Sequence, residues 1–283
     1  MNSGTKIDIH ELNASVADLK RECSSLAEKE TLTELRQLFT CIDNTTLNGS
    51  DTPSSVYEFC ENTKNTMVPS PDGPLQVAAV CVYPSFVTLA KKQLNDTPIR
   101  VASVAGGFPA GQIPIYLKMQ EVRYVVDNGA DEVDFVINRG LFLSGETNAV
   151  FDEIAAAKEN CGKNSLLKVI IECGELLTLQ NIYDASFLAL CAGADFVKTS
   201  TGKIPVGATP ESAYAMMLAL HDFREKNKKT VGFKVAGGVS NHNDAILYGL
   251  MYKKIFDVKN INNQIFRIGT SRLTAQLHKL LTL

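Results

Sequence analysis

Lys198 and Lys234 are the residues of this sequence from which a reaction can be argued. Lys198 stands near the end of the run ADFVKTS (194–200), and Lys234 near the end of TVGFKVAG (230–237). Both runs read as buried, consecutive strands, where a charge is costly unless it is paired or used. Neighbouring parallel strands lie about 4.8 Å apart, so two inward lysines bring their ammonium groups close together. A free lysine, with a pKa of about 10.4, is a protonated non-nucleophile at neutral pH. A neighbouring cation and burial both disfavour the charged form. The neutral amine can then attack a carbonyl carbon and form a Schiff base, while the second lysine stays the cation. The competing reading has each lysine reaching for the rim or pairing with a carboxylate. Two such lysines on successive strands, each beside a glycine-containing turn, favour the shared chemical role.

Other charges fall in similar runs. Asp134 lies within DEVDFVI (131–137), on the same face as Val136, with Asp131 and Glu132 at the start of that strand. An inward carboxylate there can pair with a lysine and relay protons to water, or serve as a structural ion pair. Lys168, early in LLKVIIE (166–172), can complete a network with Asp134, and Glu172 follows on the same face. Asp43 ends the run LFTCID (38–43), where an Asx turn or helix cap competes with a place in the site.

A third set suits an anion. Gly202-Lys203 follows the sixth strand-like run, Gly237-Gly238 the seventh, and Gly269-Thr270-Ser271 the eighth. Glycine turns let backbone N–H groups converge on a phosphate, although any single turn can need glycine for its own geometry. Three at successive strand ends carry more weight, because barrels often build a phosphate site after strands seven and eight.

These residues need a frame. Besides the runs already named, LQVAAVCVY (75–83), IRVASVA (99–105) and QIFRIG (264–269) read as strands, making eight. Stretches with three- and four-residue apolar spacing alternate with them over 53–66, 84–94, 112–129, 147–160, 176–192, 209–227, 240–257 and 271–281. Eight βα units imply an α/β fold with a parallel sheet, and eight parallel strands close as a (β/α)8 TIM barrel. An open doubly wound sheet is the rival, but no GxGxxG follows the first strand. Residues 6–36 carry Ile7, Leu12, Val16, Leu19, Cys23 and Leu26 on one side and predict an added helix or helix pair. The reading is one domain over 1–283, with 1–36 as a helical extension packed on the barrel.

Bulk properties exclude several classes. The chain has 283 residues, 45% hydrophobic and 21% charged, with a net charge of -3, so nothing points to nucleic acid. No apolar run approaches the roughly 18 residues of a membrane span, and the N-terminus carries no secretory or transit pattern. Seven cysteines, an odd number without a CxxC, predict reduced thiols in a cytoplasmic protein. The four histidines share no metal-ligand spacing, so no metal is expected.

The chain resembles the 2-deoxyribose-5-phosphate aldolase family over nearly the whole barrel. The resemblance is carried by Asp43-Asn44-Thr45-Thr46-Leu47, Cys81-Val82-Tyr83-Pro84, GGFPAG (106–111), DEVDFVINRG (131–140), LKVIIECGEL (167–176), GADFVKTSTGK (193–203), KVAGGV (234–239) and RIGTSR (267–272). It implies reversible cleavage of 2-deoxy-D-ribose 5-phosphate to acetaldehyde and D-glyceraldehyde 3-phosphate, with no metal or other cofactor. By the resemblance, Lys198 is the Schiff-base lysine, Lys234 lowers its pKa, and Asp134 relays protons through a water with Lys168 nearby. Gly202, Lys203, Gly237, Gly238, Gly269 and Ser271 are the matched phosphate contacts, and Asp43, Cys81 and Thr201 are expected beside the substrate. A small phosphorylated sugar is the implied partner, and a homodimer the expected assembly.

Two departures stand out. Arg272 occupies a position where the family commonly has a small hydroxyl residue, and the tail His278-Lys279-Leu280-Leu281-Thr282-Leu283 lacks the terminal tyrosine that assists proton transfer in some members. A weakened aldolase serving as a binding scaffold is the alternative function. Another Schiff-base barrel enzyme, transaldolase-like or a keto-acid aldolase, is disfavoured by lysines on both the sixth and seventh strands.

Overall fold

The computed structural model describes residues 4–282; Met1 to Ser3 of the N-terminal stretch and Leu283 of the tail lie outside them. Eight strands, β1 Ile42–Thr45, β2 Ala79–Val82, β3 Arg100–Ala105, β4 Glu132–Val136, β5 Leu166–Ile170, β6 Phe196–Lys198, β7 Gly232–Ala236 and β8 Phe266–Thr270, form a closed barrel in chain order. Every neighbouring pair is parallel, including the closing pair of β1 and β8. The expected TIM barrel is the fold.

Helices connect the strands: α3 Pro53–Asn65, α4 Val87–Gln93, α5 Ile115–Asp127, α6 Arg139–Leu143, α7 Thr147–Cys161, α8 Leu179–Cys191, α9 Pro210–Asn227, α10 His242–Phe256 and α11 Leu273–Thr282. Several begin where side chains satisfy free N–H groups. Thr52 and Ser55 cap α3, Thr209 and Ser212 cap α9, and Asn241 and Asp244 cap α10. α5 and α8 start later than their apolar spacing predicts, at 115 rather than 112 and at 179 rather than 176. Pro114 precedes α5, and Thr178 accepts from Asn181 N to cap α8.

The N-terminal segment forms two helices, α1 Ile9–Ser25 and α2 Glu28–Phe39. Leu12, Val16 and Leu19 bury one face of α1 against α9 and α10, while α2 lies on α10 and α11. The first strand is displaced from its expected place at 38–43. Leu38 and Phe39 continue the buried face that Leu35 starts on α2, so the strand begins only at Ile42.

The main core fills the space between barrel wall and helices, and contains Phe39, Phe233 and Phe266, all fully buried. Each such side chain contributes about 1.5–3 kcal/mol on removal from water. Inside the barrel Cys81 of β2 and Ala102 and Val104 of β3 pack with Leu47, and the Phe196 ring of β6 lies against the Arg267 guanidinium. Beside them the interior carries a set of charged side chains. No helix among the described residues is long and apolar enough to cross a membrane, and all seven cysteines are free.

Candidate active site

Strand register builds the site. Asp134 lies opposite Lys168, Lys198 opposite Lys234, and Lys234 opposite Arg267. Residues at alternate positions share a face, so Glu132 and Asp134 of β4 both enter the barrel. Two glycines leave the room that long side chains need. A Cβ on Gly232 would lie 2.1 Å from the Phe196 ring, and one on Gly269 would lie 3.0 Å from Lys234 Cε.

The result is a buried ion network. Asp134 Oδ2 accepts from Lys198 at 2.7 Å and from Lys234 at 2.8 Å, and its Oδ1 accepts from Lys168 at 2.9 Å. Asp43 Oδ2 accepts from Lys234 at 2.5 Å and Lys168 at 3.1 Å, while its Oδ1 accepts from Arg267 at 2.6 Å. Below them, Glu132 Oε2 meets Lys168 at 2.5 Å and Glu132 Oε1 accepts from Arg267 at 2.7 Å. All seven side chains are buried; Lys198, 3% exposed, is the least so.

Burial opposes ionisation of Asp134, but Lys168, Lys198 and Lys234 outweigh it and hold the carboxyl well below its ordinary value. Burial likewise opposes the charge on Lys234, yet Asp134 and Asp43 hold its pKa above the ordinary lysine value. Lys168, with three carboxylates around it, is held higher still by Asp134, Asp43 and Glu132 against the same desolvation. Lys234 is thus a fixed cation beside Lys198. The Cys81 thiol, 3.9 Å from Asp134 Oδ2, is pushed up to about 11 by burial and then by that carboxylate.

Lys198 is the member of the network that reaches open space. It lines a cavity of 390 Å³ whose walls include Thr201, Gly202, Lys203, Gly237, Gly238, Gly269, Ser271 and Arg272. That volume suits a small metabolite, near the lower end of the roughly 300–1,000 Å³ of ligand sites. Gly202, Gly237 and Gly238 have φ of 72°, 70° and 95°, left-handed conformations that explain glycine there. The N–H groups of Gly202 and Lys203 already donate to Ser200 Oγ and Thr201 Oγ1, each at 3.1 Å. Lys203 Nζ donates to Leu47 O across the cavity mouth.

The sequence-derived residues therefore separate into two groups. Thr201, Gly202, Lys203, Gly237, Gly238, Gly269 and Ser271 surround the cavity with Lys198. Asp43, Cys81, Asp134, Lys168 and Lys234 lie in the barrel beneath it. Asp43 neither closes an Asx turn nor caps a helix, because it sits within β1 and faces the interior. Asp131 lies outside the network, held by Lys91 at 2.6 Å.

The sequence reading gives no site role to two participants and places a third, Glu172, only on the face of Lys168. Glu132 is a buried network member and not merely the start of a strand. Arg267 is the charge that the apolar run QIFRIG hides, and testing that run for a buried charge would have found it. Glu172, at φ 56°, accepts from Ser200 Oγ at 2.6 Å and from Thr201 N at 3.1 Å, and so holds the loop after β6.

Comparison with known proteins places the chain among aldolases. Residues 38–247, from the end of α2 into α10, match the sequence pattern of the DeoC/LacD family aldolases. The deoxyribose-phosphate aldolase of Homo sapiens is 37% identical over 296 aligned residues, covering 98% of this chain and 93% of that protein. That of Bos taurus is 41% identical over 254 residues, covering 87% and 80%. A tetrameric deoxyribose phosphate aldolase from Aeropyrum pernix, 23% identical, superposes with a TM-score of 0.67 over 90% of this chain and 97% of its own, a likeness of fold. With the lysine-bearing barrel and a match over most of its length, the chain belongs to the DeoC/LacD family of aldolases.

Proposed function

We propose that this aldolase reversibly cleaves 2-deoxy-D-ribose 5-phosphate to acetaldehyde and D-glyceraldehyde 3-phosphate through a Schiff base on Lys198. The observation that carries the reading is the position of Lys198, the network lysine that lines the 390 Å³ cavity. Lys234 stays charged at its side, on the same Asp134 oxygen.

Neutral Lys198 Nζ adds to C1 of the open-chain sugar, and loss of water leaves a protonated imine. A water held by Asp134 and Lys168 takes the C3 hydroxyl proton. The C2–C3 electron pair then flows into the imine, which releases D-glyceraldehyde 3-phosphate and leaves an enamine on Lys198. Protonation at C2 and hydrolysis by one water return acetaldehyde and the free amine. Gly202, Lys203, Gly237, Gly238, Gly269 and Ser271 receive the 5-phosphate, with Lys203 supplying charge and the turns supplying shape. Asp43 and Cys81 stay in the supporting layer, and Thr201 orders the loop through Glu172. The chain acts as one barrel domain.

Free thiols suit a reducing compartment, so the protein is read as cytoplasmic. It is read as a homodimer, although a similar aldolase is tetrameric; light scattering on the purified protein decides between them.

The central test is reductive trapping. The protein is incubated with deoxyribose 5-phosphate or acetaldehyde, reduced with borohydride, and mapped by mass spectrometry. A modified Lys198 is expected. An adduct on Lys234 would reverse the two roles, and no adduct would remove the Schiff base.

A further inference from the structure

The barrel interior holds three carboxylates, Asp43, Glu132 and Asp134, against four cations, Lys168, Lys198, Lys234 and Arg267. Within this network the cations exceed the carboxylates by one, in a buried setting that only Lys198 leaves for the cavity. The further buried carboxylate, Glu172 just after β5, touches none of these cations and is held by Ser200 and Thr201. Such a surplus is expensive in a low-dielectric interior, and losing one proton removes it. Arg267 cannot supply that proton, since an arginine stays charged in proteins. The lysines differ in how firmly they are held. Among the described residues, Lys168 touches three carboxylates, Lys234 two, and Lys198 Asp134 alone. Lys198 is thus the least firmly held of the three lysines, and it also borders the cavity.

We propose that Arg267 and Glu132 are positioning residues that set, from beneath the site, the charge surplus that frees the Lys198 amine. Neither lines the cavity. They sit on β8 and β4, four strands apart, and meet across the barrel floor through paired contacts of 2.7 and 3.1 Å. Arg267 reaches the upper layer through Asp43, and Glu132 reaches it through Lys168. Arg267 Nε also donates to Asn263 O at 2.5 Å, which fixes the guanidinium in place.

The other groups around Lys198 do not upset this balance. β2 presents Cys81, a thiol held neutral, and β3 presents Ala102 and Val104. Lys203 and Arg272 line the mouth and are exposed, where solvent screens them. Arg100 touches Glu132 at 3.3 Å from a side chain that is 37% exposed, so its charge is also screened.

The inference rests on the Schiff-base reading and predicts opposite effects from two neighbouring substitutions. In Arg267→Met, three cations face three carboxylates and Lys198 keeps its proton. The acidic limb of the kcat/KM profile moves up by about one pH unit or more, with about a tenfold loss of neutral amine below the limb. In Glu132→Gln, the surplus grows to two and the limb moves down. The double variant restores a surplus of one and returns the limb toward its original position. Arg267→Lys preserves the charge and leaves the limb in place.

The experiment measures kcat/KM against pH for the full-length variants, beside borohydride trapping on Lys198 and thermal unfolding of each. Opposite limb shifts with restoration in the double variant are expected. Shifts in the same direction, or none, with Lys198 still trapped overturn this proposal and leave the Schiff base standing. Failure to trap Lys198 in the unmodified protein overturns both. Where Arg267→Met does not fold, Glu132→Gln carries the test alone, and an unchanged or raised limb overturns the proposal.

Discussion

Lys198 and Lys234 face each other in register on β6 and β7, and both donate to one oxygen of Asp134. A single carboxylate oxygen thus holds the two lysine nitrogens side by side. Lys234 has Asp43 as a second acceptor and Lys198 does not, which makes them chemically unequal.

Lys198→Met should abolish borohydride trapping and lower kcat/KM by at least about a thousandfold, as expected when a covalent nucleophile is lost. The fold should persist, because Asp134 keeps Lys168 and Lys234. Calorimetry should show a melting point within a few degrees of the original. Undiminished trapping elsewhere in the barrel would falsify the assignment.

Lys234→Leu should lower activity and raise the acidic limb of the pH profile, because Lys198 becomes the remaining counter-charge on that side of Asp134. A rate–pH series on the purified variant is sufficient. A limb that stays put means the two lysines are not coupled.

The glycine turns should govern affinity for the phosphate. Gly238 has a φ of 95°, and a Cβ there would lie 2.7 Å from Ala208 O. Gly238→Ala should raise KM for deoxyribose 5-phosphate about tenfold, the size of one lost hydrogen-bond set to a charged group. It should change kcat/KM for unphosphorylated deoxyribose little. Equal losses on both substrates would point to general damage.

A second buried ion pair lies outside the barrel. Lys118 of α5 and Glu153 of α7 meet at 2.8 Å, and Glu153 Oε1 also accepts from Asn138 N at 2.6 Å. Glu153→Leu leaves a buried ammonium unpaired and should destabilise by about 3–5 kcal/mol in urea unfolding. Adding Lys118→Met should recover much of that loss. If the double variant is no better than the single, the pair is not what the first substitution broke.

Stability should form a plateau in pH with two different edges. Asp134 and Glu132 are depressed in the folded state by neighbouring cations that outweigh burial. Their contribution is present above the unfolded carboxyl range near pH 4 and is lost as pH falls below it. On the alkaline side, burial pushes the thiols of Cys60, Cys81 and Cys173 up to about 11 and those of Cys41 and Cys161 up to about 12. The stability they add is present below about pH 8.5, where unfolded thiols titrate, and declines as pH rises toward the folded values. Melting points from pH 3 to 11 test both edges. An alkaline decline that starts only above pH 10 would implicate the lysines instead.

Much of this was legible because barrel strands are short apolar runs, so Asp134, Lys168, Lys198 and Lys234 stand out in them. β1 was harder to place: its four residues, Ile42 to Thr45, are mostly polar and follow directly on the buried face of α2. Glu132 and Arg267 each look like a lone charge near a strand end. Their partnership spans 135 residues, and no local pattern reports it. The cavity's shape was equally hidden, since Gly232 and Gly269 act through the side chains they lack.

The contact between Asp43 and Arg267 joins residues 224 apart. It couples assembly of the reactive centre to closure of the barrel. Asp43 emerges well before Arg267 during synthesis, so the charge cluster stays incomplete until β8 docks against β1. Contacts of such long range make folding slow and late-committing. On the proposed role of Lys198, its amine is set for reaction only when β8 has met β1, and a chain that stops short of β8 carries the lysine without that setting.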